Sequence, residues 1–178
     1  EDEIAMIREA MTHDEILFFT NLGRVFRQPV YEIPVASRTA KGQAIVNLLQ
    51  LQEKEYVTAI LSSSEEKKSE FLIMATTKGT IKKTAMADFK NVRKSGLIAI
   101  KLREGDFLKW SKLGNKNEQV MIVTKEGKSI RFFEKDVNPT GRTSMGVRGI
   151  RLRDGDEVID MDVVKNPKQA ELLVIMEN

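Results

Sequence analysis

Apolar residues come in short runs along this chain, separated by glycine or by clusters of charge. Three runs share one ending. Ile16-Leu17-Phe18-Phe19-Thr20, Leu72-Ile73-Met74-Ala75-Thr76 and Val120-Met121-Ile122-Val123-Thr124 are each followed by two residues and then Gly23, Gly79 or Gly127. The linking pairs, Asn21-Leu22, Thr77-Lys78 and Lys125-Glu126, suit tight hairpin turns with glycine at a positive φ. A second strand is predicted after each glycine, at Arg24 to Arg27, Thr80 to Lys83 and Lys128 to Arg131.

A second glycine follows 17 to 19 residues later, at Gly42, Gly96 and Gly146, and opens the pattern G-x-x-x-[V/I]-x-L. A polar turn comes next, Glu104-Gly105-Asp106 or Asp154-Gly155-Asp156, with Gln52-Glu53-Lys54-Glu55 in its place the first time. Further strands are predicted at Val57 to Ile60, Leu108 to Ser111 and Val158 to Met161. The anchor glycines stand 56 and 48 residues apart, and each interval holds about four short strands, the content of one propeller blade. The pattern therefore predicts an all-β repeat fold, with blades over 12–61, 70–113 and 118–164.

The ends extend the register. Ile4 to Met11 also fits a short amphipathic helix, but Asp2 to Ile7 align with Asp106 to Lys109, so 1–11 is read as the end of a preceding blade. Leu172 to Met176 align with a first strand, so 171–178 is read as the start of a next one. The expectation is a piece of one longer repeat domain, with half-blades at both ends. Unpaired strand edges of that kind invite self-association.

Composition narrows the chemistry. Apolar residues make up 41% and charged residues 31%, which fits a folded globular chain. There is no cysteine, which excludes disulfides, thiolate zinc sites and cysteine nucleophiles and is compatible with a reducing cytosol. With His13 as the single histidine, a histidine metal site or a serine–histidine triad is not expected; the residue reads as a solvated connector. Glu126-Gly127-Lys128-Ser129 ends like a phosphate-binding loop, but the glycine required five places before Gly127 is Ile122. Asp154-Gly155-Asp156 lacks the remaining ligands of a calcium loop and is read as a turn. Tyr31 and Tyr56 have no partner base in the pattern and are expected to pack, as is Trp110. No catalytic constellation, metal site or cofactor site is found. No apolar run approaches the roughly 18 residues of a membrane-spanning helix.

Positive charge recurs in phase with the repeat. Residues 16–170 hold 28 bases against 18 acids. Arg38 and Lys41, Arg93 and Lys94, then Arg142 stand just before the second glycines. Equivalent positions of a repeat protein lie at one height, so these bases are expected to line a curved rim. Duplex DNA, with a phosphate charge every ~1.7 Å of axis, matches such a rim. Arg27, Lys83 and Arg131, four places after the anchor glycines, form a second candidate row. Lys101 and Arg103, then Arg148, Arg151 and Arg153, follow the second glycines. Aromatic interleaving and a recognition helix are both missing, which points to backbone contact with bent duplex.

The stretches Thr12 to Phe26, Arg38 to Gly42 running into Ile45-Val46-Asn47-Leu48-Leu49, Ala75 to Thr84, and Thr143 to Leu152 resemble the C-terminal domain family of DNA gyrase A. The resemblance covers essentially the whole chain. It implies a β-pinwheel, a six-bladed propeller-like disc whose blades exchange strands, of which this chain holds about three. It implies a bacterial, cytoplasmic, nucleoid-associated module that wraps duplex DNA to support ATP-dependent negative supercoiling by a type II topoisomerase. Its partners are then duplex DNA, the remainder of the gyrase A protein and the gyrase B protein, with no membrane. The fragment itself is not an enzyme and carries no cofactor, since ATP and magnesium act elsewhere in the holoenzyme. Ser37-Arg38-Thr39-Ala40-Lys41-Gly42 is only a degenerate counterpart of the family's Q-R-R-G-G-K/R-G box. The alternatives are the equivalent domain of topoisomerase IV and a protein-binding propeller without a DNA role.

Overall fold

The computed structural model describes residues 4, 6–37 and 39–173. Its strands are β1 (Glu15–Thr20), β2 (Arg24–Pro29), β3 (Val57–Ser62), β4 (Phe71–Thr76), β5 (Thr80–Ala85), β6 (Leu97–Ile98), β7 (Leu108–Gly114), β8 (Gln119–Thr124), β9 (Ser129–Phe133), β10 (Val147–Arg148) and β11 (Val158–Val164). They form three antiparallel sheets in the orders β3-β1-β2-β6, β10-β5-β4-β7 and β11-β8-β9. One short helix, α1 (Ser63–Glu66), and several 3-10 turns fill the connectors. The chain is thus nearly all-β, a set of propeller-type blades.

The sequence units and the sheets do not coincide, because the second and third units each lend a strand to their predecessor. β6 belongs to the second unit but lies along β2, with Arg24 opposite Ile98 and Val25 opposite Leu97. β10 repeats the exchange, with Ile81 opposite Val147 and Thr80 opposite Arg148. The anchor glycines receive the lent segment. The Gly23 carbonyl accepts the amides of Ala99 (2.8 Å) and Ile100 (3.2 Å), and the Gly79 carbonyl those of Gly149 (2.8 Å) and Ile150 (3.3 Å). Gly23 has φ +75°, and a Cβ there would lie 2.5 Å from the Ile100 carbonyl oxygen. Turn geometry and close backbone approach both demand glycine here.

A carboxylate staples each hairpin. Asp106 accepts hydrogen bonds from the hydroxyls of Thr76 (2.7 Å) and Thr77 (3.2 Å) and from the amides of Lys78 and Phe107 (both 2.9 Å). Glu55 takes the place of this aspartate in the first unit, accepting from Thr20 at 2.6 Å and pairing with Arg24 at 2.7 Å. Asp156 does the same work in the third, accepting the amides of Glu126 and Glu157. Burial pushes the Asp156 carboxyl up, but those amides, the Thr124 hydroxyl and Lys128 together hold it below the ordinary carboxylate value.

Alternate faces of a strand feed different cores. On β1, Leu17 and Phe19 pack with Leu72 and Met74 of β4, while Ile16 and Phe18 pack with Phe26 and Leu49. The opposite face of β4, Ile73 and Ala75, meets Val120 and Ile122 of β8. Because blades cover β4 on both sides, its sequence is a continuous apolar run. Each fully buried Leu, Ile or Phe in these layers contributes about 1.5–3 kcal/mol.

Several expectations change. Residues 6–11 and Leu172 and Leu173 are not strands, since no described strand offers them a ladder; residues 1–3, 5 and 174–178 lie outside the described residues. Among the described residues Gly42 to Leu48 meets no preceding sheet edge; it forms a 3-10 turn at Ile45–Asn47 and leaves Ile45 and Val46 exposed. Tyr31 and Tyr56 do not pack; they are 64% and 57% exposed. Trp110 does pack, against the layer between the second and third sheets, and His13 is exposed.

Candidate nucleic-acid interface

The lent strands β6 and β10 are each entered through a turn, and the bases before the second glycines sit there. The Gly96 amide donates to the Arg93 carbonyl (3.0 Å), closing a turn that leaves Arg93 exposed. In the third unit the Thr140 amide donates to the Lys83 carbonyl (2.8 Å), the Ser144 amide to the Gly141 carbonyl (3.1 Å) and the Ser144 hydroxyl to Thr140 Oγ1 (2.7 Å). Arg142 projects half-buried from this turn. Lys41 is exposed beyond the corresponding turn of the first unit, where the Ala40 amide donates to the Ser37 carbonyl; Arg38 lies outside the described residues. Lys94 is exposed but pairs with Glu32 at 2.5 Å, and this contact holds the Glu32 carboxyl below its usual range. An exposed pair of this kind is screened by solvent and contributes little, so a phosphate can displace it.

The second candidate row does not share this placement. Arg27 bridges Glu15 (2.8 Å) and Glu66 (3.0 Å) and donates to the Phe89 carbonyl (2.7 Å). Lys83 is 4% exposed, bound to the Glu134 carboxylate (2.5 Å) and carbonyl (2.8 Å), with the Phe71 ring beneath it. Phe89 and Glu134 lie in the 3-10 turn of the following unit, so Arg27 and Lys83 tie units together and are withdrawn from solvent. Arg131, the third member, is exposed and has no carboxylate partner among the described residues.

Other bases follow the second glycines. The Lys101 amide donates to the Ser144 carbonyl (3.0 Å), which sets this exposed lysine beside the Arg142 turn. Arg148 is exposed on β10, and Arg103 and Arg151 are exposed after the lent segments, while Arg153 approaches Glu126 at 3.9 Å. The phase of these bases after the second glycine is visible in the sequence, but the approach of Lys101 to the Arg142 turn comes from the strand exchange. Among the described residues no group of three histidine, aspartate or glutamate side chains converges as a metal site, and no helix is long and apolar enough to cross a membrane.

Strand-exchanging blades, with bases in the turns that lead into the exchanged strands, define a propeller-type repeat domain. The family model for the DNA gyrase C-terminal domain, described as a beta-propeller, matches residues 14–64, 70–110 and 118–165. The chain belongs to this family. The DNA gyrase A protein of Staphylococcus epidermidis is 38% identical over the whole chain, which spans 20% of that relative's length. Among solved structures, the C-terminal domain of DNA topoisomerase IV superposes with a TM-score of 0.79 at 27% identity, over 87% of this chain and 48% of that one. The DNA gyrase A C-terminal domain superposes with a TM-score of 0.70 at 31% identity, over 88% and 50%. The pinwheel architecture of these domains is the one seen here.

Proposed function

We propose that the chain binds duplex DNA along the edge formed by the turns before its lent strands, and serves as a wrapping module of a DNA gyrase. The observation that carries this reading is the recurrence of Lys41, Arg93 and Arg142 at equivalent turns, the first two exposed and Arg142 half-buried, flanked by the exposed Lys101 and Arg148. Among the described residues the edge has no helix or strand placed to read bases, which supports contact with the phosphates of a bent duplex. Five phosphate contacts correspond to a salt slope of about −4 to −5 in log affinity against log salt. The combined Lys41→Ala, Arg93→Ala and Arg142→Ala variant is expected to lose affinity equally on unrelated duplexes, with the slope shallower by roughly 2.7. Lys116→Ala, in an exposed pair with Glu70 on a connector, serves as the control. If the triple variant keeps the parent's affinity and slope, the assignment fails.

In the complete enzyme this edge would hold DNA for ATP-driven supercoiling, with the rest of the gyrase A protein and the gyrase B protein as partners in the bacterial cytoplasm and nucleoid; ATP and magnesium act outside this module, which itself performs no catalysis. The closer superposition on the topoisomerase IV domain favours a second reading, a decatenating enzyme. Supercoiling against decatenation by the chain joined to its catalytic core distinguishes the two. Isolated, the chain is expected to self-associate. Among the described residues β9 has no partner on its outer edge, Gly127 has no atom within 4 Å of where a Cβ would stand, and Gly42 to Leu48 pairs with no sheet. A strict monomer at high concentration in sedimentation would refute that.

A further inference from the structure

Lys82 breaks the repeat. The third residue after the anchor glycine is Phe26 in the first unit and Ile130 in the third, but in the second it is a lysine with no exposed surface. It has no carboxylate partner among the described residues. Its ammonium donates to the carbonyls of Arg142 (2.5 Å), Ala99 (2.8 Å) and Ser144 (3.2 Å). An ammonium has three N–H donors, and all three are used. The acceptors come from different units: Ala99 follows β6, while Arg142 and Ser144 belong to the turn that enters β10. The charged groups that face the ammonium are Arg142 and Asp88.

A buried cation without a counter-ion is a costly replacement for Phe or Ile. What it supplies here is position. We propose that Lys82 is a positioning residue whose ammonium clasps the Thr140-to-Gly146 turn and thereby sets where Arg142 meets the phosphate backbone. The inference rests on the reading of the exposed bases as a duplex-binding edge. Burial first, and the positive charge of Arg142 second, lower the lysine to about 8, with Asp88 opposing. Above that pH the neutral amine retains two donors for three carbonyls, and one is released. The turn carbonyls of Arg142 and Ser144 are partly solvent-accessible and let go before the buried Ala99 carbonyl.

The test is fluorescence anisotropy of the full chain on a mixed-sequence duplex at constant ionic strength, from about pH 6.5 to 9.5, with Lys82→Met, Arg142→Ala and their combination. The parent is expected to lose affinity several-fold as pH rises through about 8. Lys82→Met should bind on the order of 10- to 100-fold more weakly at neutral pH, the loss of one charged hydrogen-bonded contact. Its salt slope should be shallower by about 0.9 and its pH profile flat. In the Arg142→Ala background Lys82→Met should change nothing further, whereas a merely structural lysine would weaken both backgrounds alike. A folded Lys82→Met protein with the parent's affinity, slope and pH profile overturns the proposal. Should that variant fail to fold, a parent profile without the step near pH 8 overturns it equally. If instead Arg142→Ala and Arg93→Ala leave binding intact, the edge reading has failed. The clasp is then judged by amide exchange: faster exchange at Ser144 and Lys101 in Lys82→Met upholds it, and unchanged exchange refutes it.

Discussion

Lys83 and Arg131 occupy the same place in consecutive units, yet their removal should have opposite consequences. Lys83 and Glu134 are each 4% exposed, and the lysine supplies both an ion pair and a hydrogen bond to the Glu134 backbone. Lys83→Met keeps an unbranched side chain, one atom shorter, but loses the ammonium over the Phe71 ring and strands the Glu134 carboxylate, whose remaining contact is the Asn117 amide at 3.3 Å. Breaking one partner of a buried pair costs about 3–5 kcal/mol. For a chain of this size that lowers the melting temperature by roughly 10 °C. Arg131→Met removes an exposed side chain with no carboxylate partner among the described residues and should change stability by less than about 0.5 kcal/mol. Removing both charges, by Lys83→Met with Glu134→Gln, should recover part of the loss, because the uncompensated charge is gone. Denaturant melts read all three. A cost below about 1 kcal/mol for Lys83→Met, or equal costs for Lys83→Met and Arg131→Met, would show that the pair does not bind the units together.

Gly23→Ala and Gly127→Ala both force a side chain to positive φ, which costs about 1–2 kcal/mol. Only at Gly23 does the new Cβ also collide with a backbone carbonyl, so the melting temperature should fall distinctly further there, and equal losses would contradict the close approach of the lent segment. Lys82 gives stability a definite pH dependence. Its value is about 8 when folded against an ordinary 10.5, so between these the unfolded chain carries a proton that the folded chain has lost. Stability must then rise with pH across that window, on the order of 3 kcal/mol relative to Lys82→Met, and denaturant melts giving a flat or falling difference would refute it.

The hairpins are legible in the sequence because their causes are local. An apolar run, a threonine, two turn residues and a glycine at positive φ all fall within about ten residues, and β1–β2, β4–β5 and β8–β9 follow from them. The recurring turn acids are legible too, as turn residues rather than calcium ligands, since Asp106 is occupied by hydroxyls and amides. The strand exchange is not legible as geometry. Nothing in Leu97-Ile98 or Val147-Arg148 states that their ladder partners lie one unit back; the G-x-x-x-[V/I]-x-L motif marks the segment but not its destination. The tyrosines mislead for a related reason. A residue in a strand-like context is buried only when a neighbouring layer reaches it, and none reaches Tyr31 or Tyr56.

The same distinction separates the two rows of positive charge. Phase in a repeat fixes height and radius, and says nothing of whether the next unit covers the position. Four residues after the anchor glycine, the side chain points toward the 3-10 turn of the following unit, so Arg27 and Lys83 become internal ties as soon as that unit is present. Arg131 remains exposed because no such turn follows it among the described residues. The bases before the second glycine behave differently. Arg93 and Arg142 precede the lent strands and stay outside the ladders that these form, so the third unit leaves Arg93 exposed. An array built this way consumes one row of charge to hold its units together and lengthens the other with every repeat, which is the arrangement that the proposed binding of a polyanion along the edge requires.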